Sequence, residues 1–410
     1  MESFVIPKEK RVWDKKLLIL IILGLLIRLF YIATIPPSFI DATDPREYDS
    51  LAQSILNGEG LKNEDSFLGG VAYSYRPPLY PVFLAFIYFL FGHSYLAVRI
   101  IQVLLSACLI FLIFNLTKTI FGEKAAFWAG LGTTFCPEFI YYAGTLRPTL
   151  LHTFFLLLSF YLLYSSSSRR YIWAGFALGL ATLTRAVSFY LVFFIPIFIG
   201  LVKGKNEMKK TFLFPLAFLL TISPWAIRNY RIQGEILFTS YESGYSLWLA
   251  HNPKTLKRER GEIFLPHCYF PEDKKYLKLS EKEKNKYFKK EAFKYIYHHP
   301  KEFFINFFTQ LKYFYRPYPN PRYIKRKYVI ISSIFTFPLF AFSFYGTIIS
   351  RKQWKNLFLL YLVILYYTLV YSLFTVVIRY RVPIIPYFLV FAGKGLENFS
   401  LPLSRHSSSL

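Results

Sequence analysis

Long apolar runs alternate with short polar connectors along most of this chain. The runs fall at about 17–35, 95–116, 125–145, 149–164, 171–185, 186–202, 211–227, 328–349, 357–376 and 382–399. Several sit near the lower limit of ~17 residues for a helix that crosses a bilayer. A soluble domain can bury one such run in its core, but not ten. The pattern therefore predicts an all-α polytopic membrane protein with about 10 transmembrane helices (range 9–12). The 171–202 stretch reads either as a tilted pair or as one helix broken around Thr184-Arg185.

Leu79 to Phe91 is also apolar, but at about 13 residues it rises only ~20 Å, short of a ~30 Å hydrocarbon core. The parity of the connectors supports reading it as an interfacial or re-entrant helix. With it left out of the count, the basic connectors fall on one side: Lys8 to Lys16, Lys118 and Lys124, Arg169 and Arg170, Lys203 to Lys210, Arg351 to Lys355, and Arg405. Positive charge at short connectors marks the cytoplasmic side. Both termini are then expected in the cytoplasm, with the first loop outside.

The sequence divides into an N-terminal membrane module, 1–227, with its first outer loop at 36–94; an outer, partly helical segment, 228–327; C-terminal spans, 328–400; and a polar tail, 401–410. Arg405 to Leu410 reads as disordered. In the outer segment, Ser280 and Glu283 form a capping box for a helix over about 281–297. Pro300 starts a second helix, whose Phe303, Phe307, Leu311 and Phe314 share a face for a core or for the outer leaflet.

Composition sharpens this picture in one respect. The net charge of +25 would suit a nucleic-acid binder, yet Lys and Arg lie beside apolar runs, where they anchor spans at anionic lipid surfaces. No nucleic-acid partner is expected. Three cysteines, Cys108, Cys136 and Cys268, give neither a disulfide framework nor metal spacing. The first apolar run, Leu17 to Ile35, is long enough to span, and no small-residue cleavage site follows it.

The candidate chemistry lies in the loops. Asp44-Pro45-Arg46-Glu47 combines an acid, a proline at the first helical position and a glutamate at the third, which together cap a helix ending near Asn57-Gly58. A carboxylate there is also kept ionised, so it can accept a proton or bind a cation. Asp41 and Asp49 are the alternatives, with Asp49 expected on the exposed face. Arg76, Arg185, Arg379 and Arg381 sit at expected outer mouths. Singly, each can snorkel; together, opposite acids, they resemble an anion site, because the planar guanidinium binds two oxygens at once. Arg28 lies ~12 Å inside its span, where an ionisable group is functional or has an acidic partner; Glu138 is one candidate. His251-Asn252-Pro253 and His152 have no second ligand at metal spacing.

With these residues placed, the chain resembles the GT-C class of integral-membrane glycosyltransferases. It is most similar to the branch containing protein O-mannosyltransferases and aminoarabinose transferases. The likeness rests on Asp44 with Tyr48; Leu51-Ala52; Leu56 to Gly60; Tyr75-Arg76-Pro77-Pro78-Leu79-Tyr80-Pro81; Phe91-Gly92; Ala97-Val98-Arg99; Gly179 to Arg185; Pro224 to Tyr230; Leu247-Trp248 with Asn252-Pro253; and Arg379-Tyr380-Arg381 to Pro386. The resemblance implies a polyprenyl-phosphate sugar donor used at the outer face of the plasma (inner) membrane, with Asp44 as general base. It implies that Arg76, Arg379 and Arg381 neutralise the leaving phosphate, with Tyr48, Arg185, Arg28, Glu138 and Asn252 as further substrate-binding candidates. Relatives often carry a second acid near the start of the fourth span. Here that stretch reads Leu146-Arg147-Pro148-Thr149, which puts a two-acid or metal-assisted site in doubt.

Two other functions compete. A transporter or flippase of lipid-linked glycans would show repeated halves or midplane sites, and no repeat is evident. A ligase using diphosphate-linked glycans shares the basic outer face. The acceptor, whether lipid, protein or glycan, is not legible.

Overall fold

The computed structural model describes residues 14–40, 44–64, 66, 68–253, 274–319 and 325–406. Its helices are α1 (Lys15–Ala33), α2 (Asp44–Leu56), α3 (Leu79–Phe91), α4 (Tyr95–Phe121), α5 (Glu123–Phe135), α6 (Pro137–Ala143), α7 (Thr149–Leu163), α8 (Arg170–Thr184), α9 (Leu191–Lys203), α10 (Lys205–Lys210), α11 (Leu213–Gln233) and α12 (Glu242–Ala250). After the long loop come α13 (Glu281–His298), α14 (Pro300–Phe314), α15 (Arg326–Ile349), α16 (Trp354–Ser372) and α17 (Ile385–His406). Among the described residues there is no strand, only an isolated bridge between Asn63 and Ala72.

Every expected span is helical, and among the described residues six helical segments are long and apolar enough to cross a membrane by length and composition. Two boundaries differ from expectation, and the one left open at 171–202 is decided. The 125–145 run is two helices, because Pro137 has no N–H to continue α5 and clashes with the preceding turn. The 171–202 run breaks at Arg185, whose backbone is extended (φ −149°, ψ 124°) between α8 and a short 3-10 turn at Ala186–Ser188. The tail is not wholly irregular either: α17 continues to His406, so Arg405 is helical. Residues 407–410 lie outside the described part.

The main core is built by α4 to α9, α11 and α14 to α17, with Phe160, Phe214, Phe218, Tyr367 and Tyr387 fully buried. Close backbone approach sets one crossing. A methyl group on Gly346 of α15 would overlap the Phe391 carbonyl oxygen of α17, and one on Gly395 would overlap the Phe342 carbonyl oxygen. Small residues let membrane helices pack this tightly. Gly346→Leu should therefore part α15 from α17 and lower the melting temperature of the detergent-solubilised protein by several degrees, an overpacking cost of about 1–3 kcal/mol. An unchanged melting curve would count against this crossing.

Helices α2 and α3 form a hairpin over the bundle. Tyr48, Ala52, Tyr80, Leu84 and Tyr88 pack there against Val98, Leu146 and Leu151. A third cluster joins the rest of the first loop to the 228–327 segment: Leu68, Ala72 and Tyr75 meet Tyr245, Trp248, Tyr276 and Phe288. Polar contacts fasten the same junction. The Glu281 carboxylate accepts from the N–H groups of Tyr73 (3.1 Å) and Ser74 (3.0 Å) and from Gln233 Nε2 (2.9 Å). Arg228 donates to the carbonyls of Tyr73 (2.7 Å) and Leu61 (3.0 Å). The capping box at Ser280 and Glu283 is formed as expected. In α14, Phe314 is buried while Phe303, Phe307 and Leu311 are half-buried; Phe304 and Phe308, off that stripe, are exposed.

Candidate active site

Three loops converge at the end of the bundle where α1 and α8 finish and α7 and α17 begin. The first two are held by one side chain on α4. Buried Arg99 donates to the carbonyls of Pro36 (2.9 Å) and Phe39 on the approach to α2, and to that of Gly144 (3.1 Å) between α6 and α7. One turn on, Gln102 Nε2 donates to the Thr145 carbonyl (2.8 Å) and Gln102 Oε1 accepts from Tyr80 OH (3.0 Å). These bonds place Asp44 beside Arg147. The third loop, between α16 and α17, brings in Arg379.

Asp44 is thereby surrounded by guanidinium groups. Arg379 Nη1 (2.5 Å) and Arg147 Nη1 (3.2 Å) donate to its Oδ2, and Arg76 Nη2 (3.3 Å) donates to its Oδ1. Asp44 is itself the first helical residue of α2, and its carboxylate bonds these side chains, so the expected capping role is not the one it plays. Burial alone would push its pKa up. Arg379, Arg76 and Arg147 outweigh that and hold the carboxyl well below the usual carboxylate range.

Arg76 is the most firmly held of the three. Its Nε (2.9 Å) and Nη2 (2.6 Å) both donate to Glu47 Oε2, and its Nη1 donates to Glu242 Oε1 (2.9 Å). Its guanidinium also lies 5.4 Å from the Tyr48 ring centroid and 5.1 Å from that of Tyr75. Tyr48 is buried, edge-on to Tyr80. Arg185 and Arg379 both pack on Tyr380, at 5.0 Å and 5.3 Å from its centroid, and Tyr380 stacks on Tyr371 at 4.6 Å. Arg379 Nε and Arg185 Nη1 are buried without a hydrogen-bond partner, and among the described residues no acid lies within ion-pair distance of Arg185. Both groups are donors suited to an anion.

Four of the candidates lie elsewhere. Arg381 points into the bundle: Nη1 donates to the carbonyls of Phe314 (3.0 Å) and Arg316 (2.7 Å), and Nη2 is 3.8 Å from Glu138 Oε1. Helical geometry around Tyr380 turns neighbours two apart in different directions, so Arg379 meets Asp44 while Arg381 faces Glu138. Glu138 is not the partner expected for Arg28. Arg28 donates instead to Ser106 Oγ (2.6 Å) and to the carbonyls of Gly24, Thr134 and Thr133 (each 3.0 Å). At the broken end of α5 the Thr134 carbonyl has no continuing turn, while that of Thr133 also accepts the Cys136 N–H (3.4 Å), and a cation there suits the helix dipole. Asn252 Nδ2 donates to the Trp248 carbonyl (2.9 Å), finishing α12.

Asp49 is not on an exposed face. It accepts from Tyr88 OH (2.7 Å) and Tyr95 OH (3.1 Å) and meets His93 Nε2 (2.8 Å). His152 is a packing contact to Ser188 Oγ (2.9 Å) and Tyr367 OH (3.1 Å). His251 Nε2 meets the Leu373 carbonyl (2.9 Å). Asp41 lies outside the described residues.

The sequence reading missed Arg147, Glu47 and Glu242 as members of the cluster. Arg147 had a usable signal, an arginine before a proline at a span mouth, as in Arg76-Pro77. Glu242, distant in sequence, had none. Among the described residues, no three His, Cys, Asp or Glu side chains come together to hold a metal ion, and the guanidinium groups around Asp44 are a donor set that fits anions rather than a divalent cation.

The bundle, with its apolar helices of spanning length, is that of a multi-pass membrane protein, and its fold is similar to that of GT-C membrane enzymes. Residues 75–227 match the family model described as dolichyl-phosphate-mannose-protein mannosyltransferase. The fold is similar to that of ArnT from Cupriavidus metallidurans in the apo state, with TM-score 0.58 and 13% identity, over 92% of this chain and 59% of that one. It is similar to the same protein bound to undecaprenyl phosphate, with TM-score 0.54 and 14% identity, over 94% of this chain and 60% of that one. It also resembles the Archaeoglobus fulgidus oligosaccharyltransferase in the apo form, with TM-score 0.61 and 12% identity, over 97% of this chain and 52% of that one. The chain thus spans little more than half the length of these proteins. No curated protein matches it. The resemblance read from the sequence therefore holds for the fold.

Proposed function

We propose that this protein transfers a sugar from a polyprenyl-phosphate donor to an acceptor hydroxyl at the outer face of the membrane, with Asp44 as general base. The observation that carries this reading is the meeting of one carboxylate with Arg379 and Arg147 beside the unpartnered Arg379 Nε and Arg185 Nη1. Asp44 takes the proton of the acceptor O–H as the new O–C bond forms at the anomeric carbon. The bond from that carbon to the phosphate oxygen breaks, and the electron pair leaves with the polyprenyl phosphate. Arginine donors at that oxygen stabilise the charge it gains. Arg76, tied to Glu47 and Glu242, positions Asp44 instead of serving the phosphate. Direct attack without a covalent intermediate inverts the anomeric centre. The neighbour bound to undecaprenyl phosphate supports the donor class.

The test uses the full chain in proteoliposomes with a radiolabelled polyprenyl-phosphate sugar. Label should move from the lipid to an acceptor hydroxyl. Translocation of intact donor without transfer would replace this reading with the flippase.

A further inference from the structure

The arrangement around Asp44 contains a conflict. A general base works best with a pKa near the working pH, yet here Arg379, Arg147 and Arg76 donate to the same carboxylate and make it a weak proton acceptor. The three arginines are not equally fixed. Arg76 has Glu47 and Glu242 to hold it in place. For Arg379, Asp44 is the acid within ion-pair distance among the described residues, and Arg379 Nε is buried without a hydrogen-bond partner. Arg379 also sits on an irregular stretch, a 3-10 turn at Ile378–Tyr380 between α16 and α17, not within a long helix. Its ring neighbour Tyr380 carries Arg185 as well, whose Nη1 is likewise unpartnered.

We propose that Arg379 changes partner during the reaction. Without donor it neutralises Asp44. When the donor phosphate arrives between Arg379 and Arg185, its oxygens take the Arg379 guanidinium, and Asp44 recovers its basicity only then. This rests on the transferase reading above and adds a regulation to it: the base is released by the substrate it must act beside. A phosphate oxygen and a carboxylate oxygen compete for the same N–H groups, and the phosphate brings the additional partner, Arg185, that Asp44 does not contact. The same competition makes Asp44 an obstacle to donor binding, because part of the donor's interaction energy is spent in separating Arg379 from it.

The prediction is that removing the base tightens the donor. Undecaprenyl phosphate binding to the full chain in nanodiscs should be measured for wild type, Asp44→Asn, Arg379→Gln and the double variant, with melting curves as folding controls. Asp44→Asn should lower the Kd by about tenfold, and Arg379→Gln should raise it by about tenfold. In the Arg379→Gln background, Asp44→Asn should lose its effect, the sign that the two residues act as a pair. Asp44→Ser gives a second neutral variant if the amide destabilises the fold. Unchanged or weaker binding in folded neutral variants would overturn the exchange, while sugar transfer by wild type would leave the transferase reading in place. A wild-type protein that neither binds undecaprenyl phosphate nor transfers sugar would remove both.

Discussion

Asp44→Asn should lower sugar transfer by about 10²–10⁴-fold, the usual contribution of a general base, while the protein stays folded. The amide keeps the shape of the carboxylate and loses its proton affinity. The loss should fall on kcat, since Asp44 acts on the acceptor proton in the transition state. Apparent donor affinity should not weaken, because the groups assigned to the phosphate, Arg379 and Arg185, remain. The substitution also removes an anion from among Arg379, Arg147 and Arg76, so those groups repel one another more strongly. Melting curves measured beside the transfer assay separate the two effects. A folded variant with full kcat would take Asp44 out of the mechanism.

Arg28→Met should destabilise the bundle. Methionine matches much of the volume and removes the cost of burying a cation, which by itself can favour an apolar replacement. The partners left behind decide the balance: the Thr134 carbonyl loses its hydrogen bond, while the Thr133 carbonyl keeps the Cys136 N–H and Ser106 Oγ keeps its bond to the Phe139 carbonyl. The Thr133 and Thr134 carbonyls and Ser106 Oγ each receive an Arg28 N–H, and the helix break at Cys136-Pro137 offers Thr134 no continuing turn. Each buried polar group left unsatisfied costs about 1–3 kcal/mol. The melting temperature in detergent should fall by a few degrees, and Arg28→Lys should recover only part of it, since a point charge cannot reach several acceptors as a planar fork does (about 2–4 °C per kcal/mol at 150–250 residues, less in a chain of this size). Unchanged melting of the methionine variant would show that the three contacts carry no stability.

The helices were legible because local rules suffice for them. Apolar runs of spanning length, a proline at the start of α14, and a capping box at Ser280 each act within a turn or two of the chain. The short α3 was read from its length and from the parity of the basic connectors, and its bounds are Leu79–Phe91. Where two local rules competed, the reading went astray. Asp44 carried a capping pattern, but Arg76 of its own loop and the guanidinium groups of two distant loops, Arg147 and Arg379, take its oxygens in place of backbone N–H groups. Asp49 looked like a surface residue of α2 until α3 and α4 supplied Tyr88, His93 and Tyr95 to cover it.

The site shows the same division more sharply. The sequence by itself determined the class of fold, the helical elements, the loop that carries the acid, and the arginines worth testing. It determined these because hydrophobic periodicity and chain punctuation are properties of neighbouring residues. Only the tertiary structure decided which arginines face Asp44. Arg379 and Arg381 are two residues apart with the same chemistry, yet one meets Asp44 and the other turns toward Glu138 and the carbonyls of Phe314 and Arg316. Arg147 enters because Arg99 and Gln102 fix its loop, and Glu242 enters from almost 200 residues beyond Asp44. The direction of a side chain depends on what the far parts of the chain place around it, and that information exists only once the bundle has closed.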